Sequence, residues 1–224
     1  MAHQGFLGSS LVKKYWMALT GLFLSLFLVV HLAGNLTLLD VSTEGQLRFN
    51  AYSKFMTTFP VIKVVSYLLY FSILFHAFDG IYLAYQNRKA RPTPYVKENR
   101  AANRSWASSN MALLGTIILV FIVIHMRSFW YEMHWGTIGL DSEGNKDLWS
   151  VTVAAFQSPL YTGFYVLCMA ALAFHLLHGF QSAFQSLGLR HRRYTPIIHA
   201  LGVFFGVVVP VLFALLPVWL YFNA

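Results

Sequence analysis

The chain has 224 residues, of which 57% are hydrophobic and only 11% charged, a composition outside the range of an ordinary soluble domain. Its formal net charge of +8 does not indicate nucleic acid, because the basic residues sort by loop rather than gathering on one polar surface. The one cysteine, Cys168, falls inside an apolar stretch, which excludes a disulfide framework and a thiolate metal site and leaves histidine as the ligand for any metal.

Five apolar stretches are each near or above the roughly 20 residues needed to cross a hydrocarbon core of about 30 Å: residues 15–38, 60–85, 110–130, 159–187 and 197–222. The predicted fold class is an all-α integral membrane protein, with residues 1–224 as a single domain. The first stretch has full spanning length and no small-residue cleavage site after a short apolar core, so it is expected to stay as a helix. Between the first and second stretches, Leu47, Ala51, Phe55 and Thr58 recur at helical spacing with Tyr52 and Met56 alongside. That pattern predicts a short helix lying in the membrane interface. Between the third and fourth, a polar, glycine-containing centre precedes residues 148–156, a second candidate interfacial helix. Trp106, Trp130, Trp135 and Trp149 fall near predicted boundaries, as residues of an aromatic belt do.

The charges orient the helices. Lys13 and Lys14 precede the first span, Arg88, Lys89, Arg91, Lys97, Arg100 and Arg104 lie between the second and third, and Arg190, Arg192 and Arg193 between the fourth and fifth. Glu98 is the acid on that side, whereas Asp40, Glu44, Glu132, Asp141, Glu143 and Asp147 lie on the other. By the positive-inside rule the N-terminus is predicted to be cytoplasmic and the C-terminus outside, in a multi-pass protein of the cell (inner) membrane.

A two-helix repeat runs through the first four spans. The first and third share Gly-x9-His, as Gly21 with His31 and Gly115 with His125; the second and fourth share Pro-x15-His-x3-Gly, as Pro60, His76, Gly80 and Pro159, His175, Gly179. At 1.5 Å per residue, His31 and His125 fall near the outer ends of outward-running helices, and His76 and His175 near the inner ends of inward-running ones. The four histidines therefore form an outer pair and an inner pair, each drawn from two helices. A lone intramembrane histidine is as readily a hydrogen-bonded core residue, but paired depths fit a six-coordinate haem, which takes two axial ligands from facing helices. Zinc would need more ligands in one layer. Gly34, Gly80 and Gly179 lie about one turn beyond three of the histidines, where a macrocycle could approach the backbone, although small residues also serve plain helix packing. The predicted architecture is a haem-binding bundle of the first four helices with the fifth alongside.

At these residues the chain resembles the single-subunit, two-haem cytochrome b anchors of succinate dehydrogenases and fumarate reductases, the succinate:quinone oxidoreductases. The resemblance covers nearly the whole chain and is carried by "VVHLAGN" around His31, "FHAFDGIYLAY" around His76, "SWASSNMALLGTIILVFIVIH" ending at His125 and "SPLYTGFYVLCMAALAFHLLHGFQSAFQSLG" containing His175. It implies a subunit that passes electrons between a cytoplasmic iron–sulfur subunit and membrane quinone, menaquinone by analogy, with a flavoprotein subunit completing the complex. It further implies two haems b, with His76 and His175 ligating the iron of the inner haem and His31 and His125 that of the outer. Within "HLLHG", His175 is preferred over His178, because it repeats the offset from proline and glycine and keeps the family's position relative to Ser186–Gly188. His178 then reads as a neighbour of the site. Some fumarate reductases of this type carry a glutamate two residues before the fourth ligand; Ala173 stands there in this chain, which weakens transfer of their proton route.

No dinucleotide fingerprint or cysteine cluster is present, so dicarboxylate, flavin and iron–sulfur chemistry is assigned to partner chains. The alternatives are a haem b anchor of a formate dehydrogenase or hydrogenase, and a haem-free proton-coupled transporter, which predicts polar lines and broken helices at mid-depth. Asp79, one turn beyond His76, reads slightly better as an interfacial side chain reaching headgroup water than as a proton-path or partner-contact residue. His134, Trp135, Glu44 and Lys54 are predicted on the outer side, where a quinone or ordinary loop chemistry would use them. His3, His191 and His199 are placed at the inner face with no ligand role, and the inner basic loops as topology signals and lipid-headgroup contacts. A higher oligomer of the complex is compatible with all of this.

Overall fold

The computed structural model describes residues 10–90 and 105–224. Among them there is no β-strand, and five helices are long and apolar enough to cross a membrane. The first, α1 (Ser10–Asn35), ends in a 3-10 turn at Leu36–Leu39. A surface helix, α2 (Thr43–Thr58), follows, then the second span, α3 (Pro60–Lys89). After a one-turn helix at Trp106–Ser109, the third span, α4, runs over Met111–Trp135. A second surface helix, α5 (Leu148–Phe156), leads to the fourth span, α6 (Pro159–Ser186), and the fifth, α7, covers Thr195–Asn223. Arg91, Lys97, Glu98, Arg100, Arg104 and His3 lie outside the described residues.

Local chemistry explains where these helices begin. Ser42 caps α2 by accepting from the Gly45 amide at 3.1 Å, and Asp147 caps α5 through the Ser150 amide at 3.1 Å; both satisfy donors that the first turn leaves free. α3 and α6 each start with proline at the first helical position, where its fixed φ is suitable and its missing N–H costs nothing.

Three spans are longer than their apolar runs. α1 begins at Ser10, α3 continues through Gln86, Asn87 and Arg88, and α4 continues past Trp130 to Trp135. Hydropathy marks only the part of a helix within hydrocarbon, and a helix does not have to stop where the lipid does. Two spans carry a π-helical turn, Met126–Trp130 directly after His125 and Phe204–Val208 in α7. At the second, a Cβ on Gly206 would come within 2.8 Å of the Leu177 backbone nitrogen, so this glycine is what lets α7 press against α6.

α1, α3, α4 and α6 form a ring in which each packs against its two neighbours, and α7 packs against α6 and α1. The diagonal partners, α1 with α4 and α3 with α6, face each other without such close backbone packing. The buried apolar core gathers at the end of the bundle that carries His31 and His125, predicted to be the outer one, from Leu32, Leu38, Phe49, Phe156, Tyr165, Val209, Leu216 and Leu220. α2 turns Gly45, Phe49, Asn50 and Ser53 toward the bundle and leaves Ala51, Phe55 and Thr58 exposed, so its predicted apolar stripe faces away from the protein, as membrane contact would require.

A polar clip joins the two outer connections. Asn50, fully buried, donates to Asp141 Oδ2 at 3.2 Å and Asp147 Oδ1 at 3.0 Å, and accepts from the Trp149 amide at 2.9 Å. Lys54 adds a bond to Asn145 Oδ1 at 2.9 Å. Partial burial pushes the Asp147 carboxyl up, but hydrogen bonds from Ser150, Asn50 and Gln46 outweigh it and hold the group below the usual carboxylate range. Asp141 is likewise pushed up by burial and held down overall by the Asn145 amide, Asn50 and the Glu143 amide.

Candidate functional site

The helix diagonals carry the histidines. His76 on α3 and His175 on α6 face each other with ring centroids 6.3 Å apart. His31 on α1 and His125 on α4 do the same at 5.7 Å. Gly21 of α1 lies against His76, and ten residues further along the same helix stands His31; Gly115 of α4 lies against His175, and ten residues further stands His125. Two independent helices thus separate the layers by about 15 Å at 1.5 Å per residue.

At the inner pair, a Cβ on Gly21 would sit 3.2 Å from His76 Cε1, while one on Gly115 would be 3.9 Å from His175 Cε1. Thr20 Oγ1 lies 3.1 Å from His76 Nδ1 and donates its own hydrogen to the Trp16 carbonyl at 2.7 Å. That arrangement suits the tautomer in which the imidazole donates to Thr20 and Nδ1 carries the ring proton. His76 Nε2 is left with the lone pair. His175 Nδ1 is buried with no hydrogen-bond partner among the described residues.

The outer pair is more heavily furnished. His31 stacks on Phe27 at 5.2 Å and lies beside Phe213 at 5.6 Å, and His125 stacks on Phe121 at 5.6 Å. His125 Nδ1 is 3.1 Å from the Tyr165 hydroxyl, which is 3.1 Å from the Tyr161 hydroxyl. Asn35 donates to the His31 carbonyl at 2.8 Å, with the same nitrogen 3.4 Å from His31 Nδ1.

Both pairs line one cavity of about 2370 Å³ that is open at its edges, more than twice the roughly 1,000 Å³ upper end for an ordinary small-molecule pocket. Two imidazoles sharing one metal, with bonds of about 2 Å on each side and roughly 1 Å from each nitrogen to its ring centre, would have centroids about 6 Å apart. Both observed spacings suit that. No group of three or more His, Cys, Asp or Glu among the described residues is placed to hold a metal ion, so a metal between either pair would take its other ligands from a cofactor. A haem iron, with four nitrogens from its own macrocycle, meets this condition.

Other residues singled out by sequence fall in different places. His178 lines the same cavity, but it is His175 whose ring faces His76. Gly34 also borders this space, but a side chain there would run into Tyr52 rather than a histidine. Gly80 lies near Met17, and Gly179 near Met111 with His175 Cδ2 at 4.0 Å, so the close approaches to imidazole are made mainly by Gly21 and Gly115. Asp79 is 5% exposed and its Oδ2 has no hydrogen-bond partner among the described residues. That corrects the reading of a side chain reaching headgroup water. Lys54, His134 and Trp135 line the outer mouth of the cavity, whereas Glu44 stands apart, exposed beside Arg48 at 3.9 Å. His191 and His199 border a separate inner-loop depression with Arg190 and Arg192.

Sequence reasoning passed over Thr20 and Tyr165. Each lies in an apolar helix with nothing in the repeat to single out its hydroxyl, and the available hint for the first was its position beside Gly21 of the repeat.

No family model matches the chain, and no solved structure matches it. Among curated proteins, it is similar to the succinate dehydrogenase cytochrome b558 subunit of Bacillus subtilis (strain 168), 23% identical over 159 residues that cover 70% of this chain and 69% of that one. This distant similarity agrees with the resemblance carried by the histidine motifs.

Proposed function

We propose that this chain is the membrane-anchor cytochrome b subunit of a succinate:quinone oxidoreductase, carrying electrons between a cytoplasmic iron–sulfur subunit and membrane quinone. The observation that carries the reading is the pair of histidine diagonals, each at metal-sharing distance and both in one large cavity. His76 and His175 would hold the inner haem b, and His31 and His125 the outer. When bound, each haem supplies one-electron chemistry. The residues of the chain set the conditions for it: Thr20 at Nδ1 leaves His76 Nε2 to face the metal, and the glycines let the inner rings lie against neighbouring backbones.

The chain contributes no dicarboxylate site; a flavoprotein subunit and an iron–sulfur subunit would supply that chemistry. In this arrangement the N-terminus is cytoplasmic, the C-terminus outside, and the basic inner edge is the docking face for the iron–sulfur subunit. Quinone, menaquinone by analogy, would exchange electrons near the outer pair. The named relative, a succinate dehydrogenase subunit, favours this over the anchor of another oxidoreductase.

The test is functional. In the complex purified from its native membrane, succinate should reduce b-type absorption bands and added quinone should reoxidise them. Haem bands that dithionite reduces and succinate does not would remove the succinate assignment while leaving a cytochrome b.

A further inference from the structure

The four histidines are not equivalent at their second nitrogen. His76 Nδ1 meets the Thr20 hydroxyl at 3.1 Å, and His125 Nδ1 meets the Tyr165 hydroxyl at 3.1 Å. Each hydroxyl has an onward acceptor, the Trp16 carbonyl at 2.7 Å for Thr20 and the Tyr161 oxygen at 3.1 Å for Tyr165. The remaining two lack this arrangement: His175 Nδ1 has no partner among the described residues, and His31 Nδ1 has only an amide nitrogen at 3.4 Å, too long for a strong bond. One histidine in each diagonal pair is therefore clamped by a hydroxyl, and its opposite is not.

We infer that Thr20 and Tyr165 are positioning residues that fix the tautomer and raise the basicity of one axial ligand in each pair, and so tune the two haem sites independently. The inference rests on the two-haem reading. Its chemical content is a relay of donors: His76 Nδ1–H to Thr20, Thr20 O–H to Trp16, and in parallel His125 Nδ1–H to Tyr165, Tyr165 O–H to Tyr161. A ligand whose other nitrogen donates a hydrogen bond becomes a stronger donor to the metal. A stronger donor stabilises the ferric state, and hydrogen bonding around the ligands is one of the levers by which proteins set haem potentials. The clamps come from different helices, α1 gripping α3 at the inner layer and α6 gripping α4 at the outer, so each is separable by mutation.

The two should differ in weight. The Met17 carbonyl also stands beside the His76 ring and takes over part of the bond if Thr20 is removed. Among the described residues no second acceptor serves His125 Nδ1. Tyr165 should therefore matter more than Thr20.

The experiment is redox titration of the purified whole complex, following both haems optically and by the low-spin signals in paramagnetic resonance. His31→Ala and His76→Ala assign each signal to a layer beforehand. Tyr165→Phe keeps the ring and removes the hydroxyl; it should raise the outer haem's midpoint potential and shift its resonance signal, with the inner haem unchanged. Thr20→Val should raise the inner potential by less, and Thr20→Ser should restore the wild-type value. If Thr20→Val fails to assemble, the Tyr165→Phe result still decides. Two bound haems with unshifted potentials in Tyr165→Phe, or a shift that falls on the inner haem, would overturn the inference while leaving the proposed function intact. A wild-type complex without haem would overturn the function itself.

Discussion

Around the outer histidine pair, Tyr165 is surrounded by Phe121 and Phe156 at 4.9 Å, Tyr161 at 4.8 Å and Phe164 at 6.0 Å, and the two surface helices close over the end through the Asn50 clip. Around the inner pair there is far less. His76 rests on Gly21 and Thr20, His175 on Gly115, and Asp79 Oδ2 and His175 Nδ1 are buried atoms without a hydrogen-bond partner among the described residues. Among the described residues the outer site is the more completely furnished of the two, and in the proposed complex the inner edge is the docking face of the iron–sulfur subunit.

The comparison is tested most strongly at the histidines. His31→Ala or His125→Ala should remove the outer haem and leave the inner, and His76→Ala or His175→Ala the reverse, because each variant leaves one of the two histidines that would hold that iron. His178→Ala should keep both. Optical spectra of the five variants check this, and loss of the inner haem in His178→Ala with retention in His175→Ala would reverse the choice between those two.

The Asn50 clip comes next. Asn50→Ala leaves the Trp149 amide without its side-chain acceptor, at a cost of about 2 kcal/mol by the usual penalty for an unsatisfied group, and takes one donor each from Asp141 and Asp147, which keep their other hydrogen bonds. Thermal unfolding in detergent should show the loss. The outer haem should be released before the inner, and release of the inner first would contradict the division between the two ends.

Acid should act on the same end. Asp40 is held below the usual carboxylate range by the Ser42 hydroxyl and amide, and Asp141 and Asp147 are held down as described. A carboxyl depressed in the folded state gives stability that is complete above its unfolded value of about 4 and is lost as pH falls through the lower folded value. Amide exchange over residues 43–58 and 148–156 should therefore quicken below about pH 4. The inner ends of the helices exchanging first would count against this.

The smallest effect is expected at the glycines. Gly21→Ala places a methyl 3.2 Å from His76 Cε1, tight enough to turn the ring, whereas Gly115→Ala places one at 3.9 Å from His175, an ordinary contact. A shift of the inner haem's resonance signal in the first variant and none in the second would match the geometry. Equal responses would mean that the two rings are equally confined.

Much of this was legible in the sequence, for definite reasons. Apolar length locates the five spans, and the rise per residue converts the repeat into two depths, so the spacing of His31, His76, His125 and His175 foreshadows which rings lie together. Helix ends outside hydrocarbon were not legible: Gln86 to Arg88 and Tyr131 to Trp135 remain helical although hydropathy has fallen. The π turns after His125 and at Gly206 were also hidden, because they arise from packing between helices. The glycine contacts with the imidazoles were hidden for the same reason. Gly34 and Gly80 are close to their histidines along the chain, but contact is made across the bundle, where Gly21 and Gly115 reach histidines 55 and 60 residues away (76−21 and 175−115).

Two haem sites in one chain would show in haem quantitation of the purified complex. Haem b extracted from the native complex and measured against this subunit should come to two per chain, falling to one in either His31→Ala or His76→Ala. A ratio of one in the wild type, or no haem in a complex that is otherwise intact, would contradict the two-haem reading.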